Sequence, residues 1–392
     1  MSILIQNARV MARAAQPPTL GDVLIEGDRI AGVGPGITTL LPPGRIIDAG
    51  GRIVLAGLVD CHTHACFAGE RLDEWDRRRQ GATYLEILAS GGGIMSTVRA
   101  VRAASKKELA DHLARRLAVM ADEGTTTVEV KSGYGLSTRD ELKMLHAIDD
   151  AAAGWPGTVV KTALLGHAVD PDVPSYFDRT IGETLDAVHA QFPGLAVDVY
   201  CEKGAWPLEQ ADRLLRRAAS LGHPVRVHTD QFHSLGMVER AIELGARSVD
   251  HLEASDDRTL ELLGGPGRPF AVGLPISGFH LDGRYTNLRS IIDRGGRVAI
   301  ATNFNPGSAP SSSMPLAIAL AVRQNGLSAA EAIAAATTGG AGVLGLDDRG
   351  EIRAGARADL VVLRHNDERM LAYEVGGNPA DVVIAGGRII RG

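Results

Sequence analysis

The sequence predicts an α/β protein in which a parallel barrel is joined to a small β-sandwich domain built from both ends of the chain. Three observations support this prediction. The middle of the chain alternates apolar strand-like runs with amphipathic helical runs, which is typical of a parallel sheet. Eight such strands occur over roughly 290 residues, the size of a (β/α)8 TIM-type barrel. Both ends instead contain short β-type runs separated by Gly, Pro and Asp.

The two ends of the chain form the predicted sandwich. Residues 1–57 contain runs such as SILIQNARVM and DVLIEGDRIAGVG, and residues 346–392 contain ADLVVLR and DVVIAGGRII. Their shared β-type pattern favours packing in one domain. We therefore expect a β-sandwich domain from residues 1–57 plus 346–392, and a barrel domain from residues 58–345.

The barrel segment begins with GLVDCHTH and continues through further strand candidates. These are TTTVEVKSG, TVVKTALLGH, LAVDVYCEKG, PVRVHTDQ, RSVDHLE, FAVGLPIS and RVAIATNFN. Helical stretches between them include Ser105–Glu123, Arg139–Ala151, Tyr176–Gln191, Leu208–Leu221 and Gly236–Leu244. A doubly wound open sheet is the alternative, but it would usually show a Gly-rich dinucleotide turn after its first strand.

Composition and charge exclude several functional classes. The 392 residues are 45% hydrophobic and 22% charged, and the net charge of −6 includes no basic block. This balance argues against nucleic acid or an anionic membrane as a partner. The three cysteines lack the spacing of a disulfide framework, and the run LAIALAV is far shorter than the ~20 residues of a membrane span. We therefore expect a cytoplasmic protein in a reducing compartment.

Histidines cluster where the predicted strands end, which is the catalytic face of such a barrel. His62 and His64 follow the first strand, and their i, i+2 spacing turns both imidazoles to one side of an extended segment. His167, His228 and His251 end three later strands. A lone H-x-H is common by chance, but the joint pattern predicts a His-rich centre for a transition metal such as zinc or iron.

Such a centre would activate water for hydrolysis. A His-bound ion with an open position lowers the pKa of its water toward ~7 and polarises a carbonyl group. Hydrolysis of an amide-type C–N bond is the natural reaction. It also needs a base that carries a proton from the water to the leaving nitrogen.

Several longer motifs resemble the amidohydrolase superfamily and, within it, the imidazolonepropionases of histidine degradation. They are GLVDCHTHACFAGER, RRRQGATYLEI, GGGIMSTVRAVRAAS, VEVKSGYGLST, LLGHAVDP, VDHLEASD and ATNFNPGSAP. RQGATYLEI, GGGIMSTVRA and EVKSGYGL are more specific than H-x-H, because the superfamily at large lacks them. The resemblance implies the barrel with its terminal sandwich, one divalent zinc or iron ion, and a homodimer. It also implies hydrolysis of the ring C–N amide of an imidazolone-propionate-type substrate to a formimino amino acid.

The resemblance further implies a role for each site residue. The metal ligands would be His62, His64 and His228, with Asn303 at the fourth position. The small carboxylated cyclic substrate would be bound by Arg71, Tyr134, His167, Asn305, Gly307 and Ser308, with the Arg71 guanidinium clasping its propionate. His251 would polarise the reacting carbonyl or handle its proton, and Gln231 would orient groups without taking a proton.

Two segments depart from the family pattern. Asn303 stands where the family has an Asp that is both a metal ligand and a proton carrier, and an amide is a weaker, non-basic ligand. In LPISGFHL, Ile276, Ser277 and Gly278 stand where the family has Gly and small polar residues, and His280 replaces a typical aromatic residue. We expect this segment to be a loop that lines the pocket.

Three interpretations of Asn303 follow. The chain could be an active enzyme whose base has moved to His251 or His280, acting on imidazolone propionate or on a different five-membered cyclic amide or azole. It could be a natural degenerate form that binds ligand without turnover, or an engineered isostere that traps substrate. We favour the active enzyme. A metal-free binding protein on the same barrel is the alternative from a different functional class.

Overall fold

The structure is a computed structural model that describes residues 2–14, 16–39, 42–82, 86 and 92–392. Part of the RRRQGATYLEI motif and Gly91 of the GGG motif lie outside these residues.

The strands are Ser2–Val10 (β1), Thr19–Glu26 (β2), Arg29–Gly34 (β3), Arg45–Asp48 (β4), Ile53–Ala56 (β5), Leu58–Asp60 (β6), Thr125–Lys131 (β7), Thr158–Gly166 (β8), Ala196–Cys201 (β9), Val225–Thr229 (β10), Ser248–His251 (β11), Phe270–Gly273 (β12), Val298–Ile300 (β13), Leu360–Leu363 (β14), Ala380–Ala385 (β15) and Arg388–Arg391 (β16). The α-helices are Leu72–Arg79, Ile94–Ala103, Lys106–Asp122, Thr138–Ala153, Tyr176–Arg179, Leu185–Gln191, Leu208–Ser220, Met237–Glu243, Asp257–Glu261, Pro275–His280, Leu288–Asp293, Met314–Gln324, Ala329–Ala334, Gly340–Leu344 and Met370–Tyr373. Thr180–Thr184 and Ala335–Gly339 are π-helical turns.

The barrel is an eight-stranded sheet in the order β13–β12–β11–β10–β9–β8–β7–β6, so strands that follow each other in the chain are also neighbours in space. Its two edges meet just beyond the strand ends, where Thr63 and Phe304 form a parallel bridge. The backbone N–H of Asn303 donates to the His62 carbonyl at 3.0 Å, and that of His64 donates to the Phe304 carbonyl at 3.0 Å. These contacts join the first and last strands at the edge that carries the predicted histidines.

The helix Lys106–Asp122 shows how the local sequence produces the outer layer. Ser105 and Glu108 form a capping box at its start, which satisfies backbone N–H groups that have no partner within the helix. Leu109, Leu113 and Leu117 recur every four residues and are all buried. This apolar stripe packs the helix onto the barrel, as its amphipathic sequence predicts.

Strands from both chain ends form a separate eight-stranded sheet in the order β16–β15–β14–β5–β1–β2–β3, with β4 paired to β1. C-terminal β14 pairs antiparallel with N-terminal β5, so Leu360 lies opposite Ala56. Ile5, Val54 and Ile384 belong to a buried apolar cluster formed by these strands and the segment before β14. The predicted fold class, a (β/α)8 barrel with a second sheet from both termini, is confirmed.

Two local expectations differ from the structure. The LPISGFHL segment is not a loop, because Pro275–His280 is a short helix with Pro275 in its first turn, where proline is well tolerated. The predicted helix Tyr176–Gln191 contains a π-helical turn at Thr180–Thr184. Within the described part of the chain, no helix is long and apolar enough to cross a membrane.

Candidate metal centre and active site

Three histidines lie together at the carboxyl end of the barrel strands. His62 and His64 directly follow β6, and His228 lies in β10. One ligand nitrogen from each lies within 4.8 Å of the other two, and all three side chains are buried. The ring centroids of His62 and His228 are 4.4 Å apart, and the Nε2 atoms of His64 and His228 are 3.3 Å apart. The predicted ligand histidines are therefore close enough to share one ion.

Two of these histidines each contact a different buried carboxylate through Nδ1. Asp250 Oδ2 lies 2.6 Å from His62 Nδ1, and Asp198 Oδ1 lies 3.0 Å from His228 Nδ1. A carboxylate only accepts, so each imidazole donates from Nδ1 and keeps its Nε2 lone pair for a metal. Burial alone would raise the pKa of Asp198, but His228 and Lys131 more than offset this and hold it well below its usual range.

Two buried cations connect these carboxylates into one network. Lys131 Nζ donates to Glu129 Oε1 at 2.7 Å and to Asp198 Oδ2 at 2.9 Å. Arg226 donates to the same Glu129 oxygen at 3.1 Å and to Asp250 Oδ2 at 2.7 Å. An unpaired charge is very costly in a protein interior, so the network favours one arrangement of the strands that bear the histidines.

The donor atoms fit a transition-metal ion. His62 Nε2 and Asn303 Oδ1 are buried and have no hydrogen-bond partner among the described residues, and His64 Nε2 lies 3.3 Å from His228 Nε2. Burial lowers the pKa of His62 and that of His64 well below the ordinary range, so both rings are neutral and have a lone pair to offer. Neutral imidazole is a preferred ligand of zinc and iron. Between the two histidines, Thr63 donates its backbone N–H to Glu129 at 3.1 Å, which fixes the segment.

Asn303 lies beside the histidines, just after β13. Its backbone N–H is bound to the His62 carbonyl, and its φ of 55° lies in the left-handed region that Asn tolerates better than most residues. Its Nδ2 atom donates to Ser277 Oγ at 2.7 Å. The position predicted as the fourth ligand therefore adjoins His62, and its side-chain oxygen has no hydrogen-bond partner among the described residues.

His251 and Gln231 lie at the same end of the barrel, His251 as the last residue of β11 and Gln231 just after β10. The ring centroids of His251 and His228 are 5.7 Å apart. His251 Nδ1 lies 3.1 Å from both carboxylate oxygens of Glu253, which leaves Nε2 as the accepting nitrogen. Gln231 Oε1 accepts a hydrogen bond from the Tyr200 hydroxyl at 2.8 Å, and Gln231 and Glu253 line one narrow cleft.

The structure does not bring His280 into this group. His280 is half-buried at the end of the helix Pro275–His280, on the side that faces Arg78. Burial lowers its pKa, and the Arg78 charge lowers it further. No ring contact among the described residues joins it to the clustered histidines. His251 is therefore the better placed of the two predicted bases.

Tyr134 and His167 form an aromatic wall beside the centre. The rings of His64 and His167 are stacked, with centroids 4.8 Å apart and planes inclined by 19°, and the Tyr134 ring centroid lies 5.0 Å from that of His167. His167 Nδ1 lies 3.0 Å from the Gly133 carbonyl oxygen. Burial lowers the pKa of His167 to about 3, so this ring is neutral and suited to contact with a flat ligand.

Arg71 provides a positive charge near this wall. Glu74 accepts from its Nε and Nη2 atoms at 2.9 and 2.7 Å, and the opposite edge of the guanidinium has no hydrogen-bond partner among the described residues. A Cβ atom on Gly307 would lie only 2.0 Å from Arg71 Nη1, so the guanidinium packs directly on the Gly307 backbone. Burial raises the pKa of Tyr134, and the nearby Arg71 charge opposes this rise.

Asn305 organises the loop on which Arg71 rests. Its Oδ1 accepts the backbone N–H groups of Gly307 and Ser308 at 2.8 and 2.7 Å. Its Nδ2 donates to the Asn303 carbonyl at 2.6 Å and to Ser308 Oγ at 2.9 Å. The amide of Asn305 is thus used within the loop, where it holds Ser308 and the Gly307 that lies beside the guanidinium.

Sequence reasoning missed the residues that hold the site in place. They are Glu74, Glu129, Lys131, Asp198, Arg226, Asp250, Glu253 and Ser277. A signal was present for some of them, since Glu129 and Lys131 interrupt the strand TTTVEVK and Asp198 interrupts LAVDVY. A charged residue in a buried strand needs a partner, although the sequence does not say which partner it has.

Comparison with known proteins adds the family. The sequence model of the family described as "Amidohydrolase family" matches residues 53–390 of this chain. The chain belongs to the amidohydrolase family. The sequence-based resemblance to this family is therefore confirmed.

Curated relatives named imidazolonepropionase match over most of their length. The one from Herpetosiphon aurantiacus is 43% identical over 368 residues, covering 88% of this chain and 84% of that protein. The one from Deinococcus radiodurans is 43% identical, covering 94% and 91%, and the one from Chloroflexus aggregans is 39% identical, covering 99% and 98%. The resemblance to the imidazolonepropionase branch is confirmed by these matches.

Solved structures with the same fold are more distant in sequence. A triazine hydrolase variant has a TM-score of 0.80 at 18% identity, covering 100% of this chain and 94% of its own. The 5-methylcytosine deaminase of Klebsiella pneumoniae has a TM-score of 0.78 at 17% identity, covering 100% and 97%. An adenosine deaminase from Xanthomonas campestris, solved with bound zinc, has a TM-score of 0.72 at 20% identity, covering 99% and 92%. These likenesses support the fold.

Proposed function

We propose that this chain is a metal-dependent amidohydrolase of the imidazolonepropionase type. It hydrolyses the ring C–N amide of an imidazolone-propionate-type substrate and gives a formimino amino acid. The relatives named imidazolonepropionase support the substrate class. The observation that carries the proposal is an aromatic wall, Tyr134 and His167, that stacks on His64 of the three-histidine centre and lies near the Arg71 charge. This arrangement matches a small flat ring with a carboxylated tail.

The substrate ring lies against Tyr134 and His167 in this proposal, and its carboxylate binds Arg71. The free edge of the Arg71 guanidinium offers N–H donors that match a carboxylate, because Glu74 uses only the opposite edge. The ring centroids of His64 and Tyr134 are 6.0 Å apart, so a ring held by this wall lies close to the histidine centre.

The histidines His62, His64 and His228 would hold one divalent ion, with Asn303 Oδ1 as a neutral fourth ligand. When bound, zinc or iron would supply a water of lowered pKa and would polarise the ring carbonyl. Asp198 and Asp250 orient two of the imidazoles through their Nδ1 atoms, which fixes the tautomer that binds metal.

His251 carries the proton in this proposal. Hydrolysis joins the water oxygen to the ring carbonyl carbon, breaks the C–N bond and gives a proton to the leaving nitrogen. The Nε2 atom of His251 accepts the proton from water and returns it to that nitrogen. Glu253 is bound to Nδ1 and stabilises the imidazolium that forms. Asn303 cannot take this role because an amide is not basic near neutral pH, and Gln231 only orients neighbouring groups.

The remaining sequence-based expectations belong to the same proposal. The barrel domain comprises residues 58–345, and residues 1–57 plus 346–392 form the second domain. The resident ion is zinc or iron, and the enzyme works as a cytoplasmic homodimer without nucleic acid or membrane partners.

The direct test is hydrolysis of imidazolone propionate by the purified protein loaded with Zn²⁺ or Fe²⁺, followed by the loss of substrate ultraviolet absorbance. We expect turnover that a chelator abolishes. The His251→Asn variant should lose about 10²–10⁴-fold in kcat, the usual contribution of general acid–base catalysis. The matched control is His146→Asn, since His146 pairs with Gln191 on an outer helix.

The outcomes separate an active enzyme, an impaired form with Asn303, and a metal-free binding protein. No turnover with either metal, together with activity in Asn303→Asp, would show that the chain is an impaired form. Turnover of a hydantoin, lactam or other five-membered ring in place of imidazolone propionate would show that the enzyme catalyses the same type of hydrolysis on a different substrate. A protein that binds the ligand but no stoichiometric metal would be a binding protein.

A further inference from the structure

The two departures from the family pattern are in contact. Ser277, in the short helix after β12, and Asn303, after β13, are both fully buried, with exposed fractions of 1% and 2%. The Asn303 Nδ2 atom donates to Ser277 Oγ at 2.7 Å. The hydroxyl therefore contacts the side chain at the fourth metal position, which gives the changed segment a direct connection to the centre.

The backbone on both sides of this contact is fixed. Asn303 donates its N–H to the His62 carbonyl and accepts Asn305 Nδ2 on its own carbonyl at 2.6 Å. Ser277 lies in a short helix, where its backbone N–H donates to the Leu274 carbonyl at 3.0 Å. A Cβ atom on the adjacent Gly278 would lie 2.1 Å from a backbone oxygen, so this helix is packed closely. With the backbone held, the Asn303 amide can still turn about its Cβ–Cγ bond.

The orientation of that amide decides whether it can bind a cation. Its oxygen has lone pairs, whereas its NH₂ group has only donors, so the two nearly isosteric orientations are not equivalent to a metal. Because Nδ2 is bound to Ser277, Oδ1 takes the other position, where it is buried without a partner in the described residues. A carboxylate at residue 303 would not need to be held in one orientation, since both of its terminal atoms are oxygens that can bind a cation.

We propose that Ser277 is a positioning residue that holds the Asn303 amide with its oxygen toward the metal and makes residue 303 a neutral ligand of the working centre. This inference rests on the proposed function, because it assumes that the three histidines hold an ion. Ser277 acts through Asn303 and need not touch the substrate. The helix Pro275–His280 thus orients a metal ligand in this chain.

The test is a double-mutant cycle read out as zinc affinity. Apoprotein is prepared with a chelator, and zinc binding is measured by competition with a chromophoric chelator in the absence of substrate. Ser277→Ala should weaken zinc binding about 10-fold or more, in the range typical of residues that orient metal ligands. In the Asn303→Asp background the same change should alter zinc affinity by less than about threefold, because a carboxylate has no wrong orientation.

A matched control and a substitute variant keep the cycle interpretable. The control is Ser290→Ala, which removes a hydroxyl that accepts from Arg294 on an outer helix and should leave zinc affinity unchanged. Ser277→Gly also lacks the hydroxyl, and it replaces the alanine variant if that variant does not fold by circular dichroism. Cobalt substitution gives a second signal, since a flipped amide should change the visible d–d spectrum.

Equal loss of zinc affinity in both backgrounds would mean that Ser277 matters only for packing, and would overturn the inference while leaving the hydrolase proposal intact. Absence of stoichiometric zinc in the unmodified chain would overturn both. Zinc binding with the expected cycle, but no hydrolysis of imidazolone propionate, would support the role of Ser277 and count against the proposed substrate.

Discussion

The Gly307→Ala variant tests how the substrate carboxylate is bound. The added Cβ would lie 2.0 Å from Arg71 Nη1 and 2.8 Å from its Cζ. Ordinary van der Waals contact begins near 3.4 Å, so the guanidinium must move by more than about 1 Å. Glu74 holds its other edge by two hydrogen bonds, which opposes this movement. The substitution therefore disturbs the arginine without removing its charge.

The expected magnitude follows from one charge-assisted hydrogen bond. Such a bond contributes about 1.5–3 kcal/mol when the partner is ionised, and its loss lowers kcat/KM about 10- to 150-fold. In the proposed function Arg71 contacts the tail of the substrate and not the reacting bond, so the change should lie mainly in KM. An analogue whose carboxylate is converted to a neutral amide should show little further loss, because it never gains the ionic contact.

The assay compares both substrates on Gly307→Ala and on the control Gly154→Ala. Gly154 follows the helix Thr138–Ala153 with φ of −96°, and a Cβ there would meet no atom within 4 Å. The control should behave as the unmodified enzyme. If Gly307→Ala keeps kcat/KM for the carboxylated substrate within about threefold, Arg71 does not bind the carboxylate from this position and the reasoning fails.

Three further predictions concern the metal centre and the buried network. Asp250→Asn should weaken zinc binding about 10- to 100-fold in chelator competition, because it removes the carboxylate that fixes the His62 tautomer, and unchanged affinity would contradict this role. Lys131→Met removes the buried cation that Glu129 and Asp198 share and leaves their negative charge only partly compensated, so the free energy of unfolding in urea should fall by about 3–5 kcal/mol, and a fall below about 1 kcal/mol would contradict the network. Removing the metal should lower Tm reversibly, since a ligand at 1,000 times its Kd stabilises the native state by about 4 kcal/mol, and an identical Tm before and after zinc is restored would argue against a specific site.

The fold was predictable because its signals are local. Each barrel strand is a short β-branched or apolar run, and each is followed by polar residues where the strand ends, so element type and order could be read directly. The helix Pro275–His280 was missed because it has only six residues and contains Pro, Ser and Gly, a composition typical of a loop. The π-helical turn within Tyr176–Gln191 leaves the helical periodicity of the sequence nearly unchanged, so no sequence pattern predicts it.

The site was predictable only where a motif has a fixed position along a strand. His62 and His64 could be placed by their i, i+2 spacing, because that spacing alone sets their direction. The partners of Lys131 could not be placed in this way. They depend on which strands lie close together in the barrel, since Asp198 in β9 is 67 residues away from Lys131 in β7. The contact between Ser277 and Asn303 depends equally on the neighbouring positions of β12 and β13.

The buried network bears on whether Asn303 is compatible with a working centre. Three carboxylates, Glu129, Asp198 and Asp250, face two cations, Lys131 and Arg226, so the network formally retains one negative charge. Two of these carboxylates are bound to His62 and His228, which would bring that charge next to a bound ion without using residue 303. Apolar residues of similar volume often stabilise a protein interior about as well as buried ion pairs. The contribution of the network therefore lies in orienting and polarising the histidines, a role that a neutral amide at residue 303 leaves intact.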